Sequence, residues 1–269
     1  MLGAICGDII GSIYERNNIK TKIFELFSNR SKFTDDSVLT IAIADSIVNK
    51  KYFAPTIHRY SINYPDVGYG SRFKKWSKSK HPNPYYSYGN GSAMRVSPVG
   101  FAYNTLDEVL NISKKTSVIT HNHIDAIIGA QAIASAIFLA KQGKDKLEIK
   151  NYIKNSLSYN LEEKVDSIRK YYKFDVSAKG SVPQAIITFL ESNDYEDAIR
   201  NAISIGGDSD TIACMCGSIA EAYYKNIPEE IIIQALKKLP KEFIEVIYKF
   251  YLKFIKNDKI ISILKTYIS

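Results

Sequence analysis

The chain has 269 residues, 45% of them hydrophobic, enough to bury a substantial core in one large domain or two small ones. Lys and Arg number 36 against 28 Asp and Glu, giving +8, but the basic residues are scattered in ones and twos, which suits anionic ligands without singling out nucleic acid. Its three cysteines, with Cys214 and Cys216 on one apolar segment, exclude a disulfide framework and read as buried small residues rather than metal ligands.

The chain opens with MLGAICGDIIGSIYE. No basic region precedes the apolar stretch, and Asp8 interrupts it well short of signal-peptide or membrane-spanning length, so a cytoplasmic location and no membrane role are expected. The segment reads as a glycine-containing apolar helix ending in Glu15, with Asp8 and Glu15 about two turns apart on one face. KFTDDSVLTIAIADS follows, placing Thr34, Asp35 and Asp36 at the head of an apolar helix expected over 36–50.

Residues 51–100 are the least periodic and rich in Tyr, Pro, Gly, Asn and Ser, the composition of a binding loop. Within them YSYGNGSAMRVSPVGF carries a tight turn, Gly89-Asn90-Gly91, with Ser92 as a candidate cap whose helix could receive a phosphate on its N–H groups. Tyr86 and Tyr88 offer flat faces to a base. In THNHID, His121 and His123 are two residues apart at a helix start and face different ways, which fits capping better than a zinc pair.

Further helices are expected over 124–143, 181–192, 195–205, 211–226 and 228–239, with Ser181 and Pro183 as an N-cap and first-turn pair. Several are rich in Ala, Gly and Ser on every face and belong at the centre of a bundle. From about 226 onward Lys alternates with Ile, Leu, Phe and Tyr, the pattern of an amphipathic closing layer. Period-2 strands, repeats and linkers are absent, so residues 1–269 read as one all-α domain.

SIGGDSDTIACM places Asp208, Asp210 and Thr211 at a second apolar helix head. Capping explains one or two carboxylates, worth about 1 kcal/mol each. Four are harder, because carboxylates gathered in a poorly solvated place repel unless protonated or neutralised by a cation. If the two heads meet, they form an all-oxygen cluster suited to Mg²⁺ or Mn²⁺, with Ca²⁺ possible, and wide enough for two ions about 3.5 to 4 Å apart.

Taken in order, GAICGDIIGSIYE, FTDDSVLTIAIADS, GYGSRFKKW, YGNGSAMRVSPVGFAY, the TH at 120–121, SVPQAI and GGDSDTIACMCGSIAEAYY resemble the ADP-ribosylglycohydrolase family, from residue 3 to about 224. The resemblance implies a single orthogonally packed helical domain around a two-Mg²⁺ site, Mn²⁺ being the other candidate. It matches Thr34, Asp35, Asp36, Asp208, Asp210 and Thr211 to the metal ligands. Gly68, Ser87, Tyr88, Gly89 and Asn90 match positions that hold diphosphate and adenosine, and His121 a site residue near the substrate. Glu15, Asp35 and Asp36 are expected near the chemistry, which would be hydrolysis of the glycosidic bond of ADP-ribose on a serine or other O-linked side chain, an arginine or a small acceptor. A monomer is expected, with the ADP-ribose moiety as partner and no nucleic acid. A non-catalytic ADP-ribose-binding or structural protein that keeps the fold is the alternative; ligand-capable residues at all six metal positions favour the enzyme.

Overall fold

Helices make up the regular structure of residues 1–268, which the computed structural model describes. In chain order they are α1 (Leu2–Gly11), α2 (Asp35–Val48), α3 (Phe53–Asn63), α4 (Ser71–Ser77), α5 (Gly91–Met94), α6 (Ser97–Ala102), α7 (Leu106–Ser117) and α8 (Ile124–Lys141). There follow α9 (Lys146–Leu157), α10 (Val165–Tyr171), α11 (Ala178–Leu190), α12 (Tyr195–Ser204), α13 (Ser209–Tyr224), α14 (Glu229–Leu236) and α15 (Lys241–Phe250), then a π-helical turn (Tyr251–Ile255) and α16 (Asp258–Ile268). Among the described residues no sheet forms; Gly89 and Ser177 pair as an isolated antiparallel bridge.

The small-residue helices are central, as their composition implies. All of α1 is buried, and it lies against α13, which is itself buried from Ser209 to Ala222. The approach is so close that a Cβ on Gly7 would stand 2.2 Å from the Ala213 carbonyl oxygen, so only glycine fits there. Glu221 of α13 fixes the start of α1 by accepting from the Met1 ammonium, the Gly3 N–H and the Tyr251 hydroxyl. α8 is apolar and long enough to cross a membrane, yet it packs among α5, α6, α7, α11 and α13 as a core helix. The C-terminal helices close one side with α15 on α2, and most of their lysines are exposed.

Several local expectations need correction. α1 stops at Gly11, where the chain turns through a Tyr14 N–H to Gly11 carbonyl bond, so Glu15 sits on a loop rather than on the helix face of Asp8. α11 starts after Ser177, whose side chain caps the Gly180 N–H, which leaves Ser181 and Pro183 inside the helix. Residues 51–100 hold the short helices α3 to α6, whose polar and aromatic make-up hides their periodicity. Ser92 does not cap α5; its hydroxyl donates to the Ala126 carbonyl.

Candidate active site

Two helix heads meet at the middle of the molecule. Thr34 is the extended N-cap of α2 and accepts from the Asp36 N–H, while Asp208 occupies the N-cap position of α13 behind Gly206 and Gly207, both in the left-handed region. That turn is strapped in place by the loop after α1. Asn18 accepts from the Gly207 N–H at 2.7 Å and donates to the Gly207 carbonyl at 2.9 Å, and the Lys20 ammonium donates to the carbonyls of Tyr172 and Ile205. The contact between heads is direct: Asp36 Oδ2 accepts from the Thr211 hydroxyl at 3.2 Å.

A third helix joins them. Asp8, Asp36 and Asp210 are buried and each offers an oxygen within 4.8 Å of the others. Asp8 lies among the apolar residues of α1, and the sequence reading left it out of the metal set. One of its oxygens accepts from the Thr34 hydroxyl at 2.6 Å, the other from the Thr34 N–H at 2.9 Å, the Ser37 N–H at 3.1 Å and the Ser37 hydroxyl. An aspartate inside an otherwise apolar, glycine-bearing helix was the signal that could have found it.

Asp208 is buried and accepts from the Asn90 amide at 2.7 Å, tying the Gly-rich turn to α13. Asp35 is half-buried at the edge of the cluster, with Oδ1 against Gly68 and its N–H bonded to the Val67 carbonyl. Glu15 is reached by the loop, 25% exposed and paired with Arg16 at 3.1 Å. Ser87 accepts from the Gly89 N–H, Tyr88 is exposed, and His121 is buried with Nδ1 against the Thr120 hydroxyl. The site residues implied by the family resemblance line one cleft of about 430 Å³, within the range of small-molecule sites, joined by Arg72, Tyr85 and Phe174; Tyr86 and Ser92 are not in its lining. His123, by contrast, caps α8 by accepting from the Asp125 N–H.

The electrostatics of the floor are strained. Burial pushes Asp8 up to about 6 against the hydrogen bonds from Ser37 and Thr34. Burial, then the charges of Asp8 and Asp208, pushes Asp35 up to about 8. Burial and neighbouring carboxylates hold Asp36 and Asp210 well above the ordinary range, and burial raises Asp208 against its bond from Asn90. Asp36 Oδ1 is buried with no hydrogen-bond partner. An all-oxygen set of mutually repelling carboxylates with an orphaned acceptor fits a hard divalent cation.

The sequence pattern of the ADP-ribosylglycohydrolase family matches residues 1–259. The chain belongs to that family, whose hydrolases act on ADP-ribosyl bonds. It is similar to ADP-ribosylhydrolase ARH3 of Mus musculus, 28% identical over 313 aligned positions covering 85% of this chain and 84% of that one. It is also similar to ADP-ribosylarginine hydrolase Tri1 of Pseudomonas putida, 24% identical over 91% of this chain and 76% of the relative. A solved structure titled ADP-ribosylglycohydrolase-related protein complex shares the fold with a TM-score of 0.69 at 20% identity, covering 94% of this chain and 96% of that one.

Proposed function

We infer that this protein is a Mg²⁺-dependent hydrolase that cleaves the glycosidic bond of ADP-ribose attached to a protein side chain, serine or otherwise O-linked or arginine, or to a small acceptor. The observation that carries this reading is Asp36 bridging α2 to α13 through Thr211 while its Oδ1 stays unpartnered beside Asp8 and Asp210. Thr34, Asp35, Asp36, Asp208, Asp210 and Thr211 would hold two ions, Mn²⁺ being the other candidate, with Asp8 beside them. Bound there, the cations would polarise the ribose hydroxyls and lower the pKa of a water molecule.

The protein's own groups do the rest. Asp35, the half-buried carboxylate at the cleft edge, takes a proton from the attacking water, and Glu15 at the mouth is the second carboxylate placed to serve the leaving group. The bond between the anomeric carbon and the acceptor breaks as the water's hydroxyl bonds to that carbon, and the acceptor leaves with a proton passed through Glu15, which balances the one Asp35 takes from the water. The anionic floor favours the positive charge that develops on the sugar ring. Arg16, Lys32 and Arg72 line the same cleft and suit the diphosphate, and Tyr88 offers a stacking face to the adenine.

Serine-, arginine- and nucleotide-linked ADP-ribose substrates incubated with Mg²⁺ or with chelator test the reading. ADP-ribose is expected to be released in Mg²⁺ and not in chelator, the most rapidly cleaved arm naming the acceptor. Binding of ADP-ribose by titration calorimetry without release from any arm would favour the non-catalytic alternative.

A further inference from the structure

Arg95, at the end of α5, is fully buried, an unusual place for a guanidinium. One nitrogen, Nη2, donates to the Thr116 carbonyl at 2.8 Å and to the Thr120 hydroxyl oxygen at 2.9 Å; Nε and Nη1 are buried without partners. Burial pulls it down to about 10, so it still carries its charge at neutral pH. Core packing alone gives no reason to keep an arginine with two unpaired donors here, since unsatisfied buried donors are costly.

The Thr120 hydroxyl supplies a reason. It lies 2.7 Å from His121 Nδ1 and has one hydrogen and two lone pairs. Arginine has only donors, so the contact with Arg95 uses a lone pair. His121 Nδ1 is the other hydrogen-bond partner of this hydroxyl, so the hydroxyl hydrogen is directed to it, and a neutral imidazole that accepts at Nδ1 carries its hydrogen on Nε2. Burial and the charges of Arg95 and Arg72 keep the ring from taking a second proton.

The ring is also fixed in orientation. The His121 N–H bonds to the Ser117 carbonyl, and its own carbonyl accepts from the Ser117 hydroxyl. A Cβ on Gly91 would stand 2.9 Å from Nε2 and 3.0 Å from Cε1, so the glycine lets this edge of the ring lie on the turn that carries Asn90.

We propose that Arg95 is a positioning residue which, through the Thr120 hydroxyl, locks His121 as its Nε2–H tautomer and presents a neutral hydrogen-bond donor to a ligand oxygen in the cleft. The assignment of that oxygen to an ADP-ribosyl ligand rests on the function proposed above; the tautomer itself does not. A neutral donor binds an oxygen there without adding a cation that the floor carboxylates would trap.

Long-range ¹H–¹⁵N spectra of the full chain labelled at its four histidines, with His121 assigned from a His121→Gln sample, test the lock directly. The wild type is expected to show the Nε2–H pattern for His121. Thr120→Val, which keeps shape and loses the hydroxyl, is expected to give a tautomer mixture and a KM about tenfold higher. Thr120→Ser restores both, and also serves if the valine variant misfolds by circular dichroism. An Nδ1–H pattern in the wild type, or a His121 spectrum unchanged in Thr120→Val, overturns the proposal. An Nε2–H pattern in a protein that releases ADP-ribose from no substrate upholds the lock and sinks the functional reading instead.

Discussion

The buried acidic floor and the loop rim of the cleft are held by opposite means. Asp8, Asp36 and Asp210 are buried on three packed helices, where hydrogen bonds fix Asp8 and Asp36. Tyr88, 54% exposed, lines the cleft from a loop with its ring edge-on to His123 at 6.0 Å. The floor stores unfavourable electrostatics that only a proton or a cation relieves, so its geometry is tied to what it binds. The rim stores almost none, because its side chains are hydrated whether or not a ligand is present. Substitutions in the floor are therefore expected to exchange activity for stability, whereas those in the rim change affinity alone.

Asp36→Asn or Asp210→Asn tests the floor most severely. Either change removes a charge from the cluster and is expected to lower kcat by about 10³-fold or more, equivalent to several kcal/mol of lost charge stabilisation. The same variants are expected to melt at a higher temperature than wild type in chelator, since one of the buried repelling carboxylates is gone. Parallel activity and melting measurements check both; activity retained with melting unchanged would remove the cluster from the reaction.

A smaller effect of the same origin is expected in the wild type. Asp8 rises from an ordinary 3.8 to about 6, and Asp35 to about 8. A carboxyl raised in the folded state contributes stability at low pH that is lost as pH climbs through the folded value. In chelator the protein should then lose several kcal/mol between about pH 4 and about pH 8, on the order of 3 kcal/mol of it from Asp8 alone. Adding Mg²⁺ should flatten that slope, because the cation takes the role of the proton. Denaturant melts at several pH values, with and without Mg²⁺, read this out, and a slope of the opposite sign in chelator would contradict the electrostatics of the floor.

The floor was also the more legible region. Thr34-Asp35-Asp36 and Asp208-Ser209-Asp210-Thr211 announce themselves as acidic caps on runs of small residues, because capping and small-residue packing are local signals. Asp8 stayed out of the metal set because an aspartate inside an apolar helix marks the position without saying what it faces, and that depends on α1 lying against α2. Glu15 lines the cleft, but a loop rather than two helical turns carries it there. The rim resisted further. Asn90 gains its meaning from an amide reaching Asp208 across 118 residues, and the start of α11 moves to Ser177 where the neighbouring strand-like contact with Gly89 holds it. Arg95 and Thr120 looked like ordinary members of a helix and a turn until the fold put them on one hydroxyl.

Tyr88→Ala gives the smallest effect and the cleanest separation of the two regions. The side chain is exposed, and the hydrogen bond by which residue 88 holds the turn is made by its backbone carbonyl, which accepts from the Ala178 N–H at 3.0 Å. Truncation should therefore leave the turn and the melting temperature in place. What it removes is a flat face worth about 1 kcal/mol or somewhat more to a stacked base. KM for an ADP-ribosyl substrate is expected to rise about five- to tenfold with kcat close to wild type, the pattern of lost uniform binding. A substrate with the same ribose linkage but no adenine should be cleaved equally by both proteins. If Tyr88→Ala instead lowered kcat for both substrates with KM unchanged, the rim would be shaping the floor, and the division of labour between the two regions would fail.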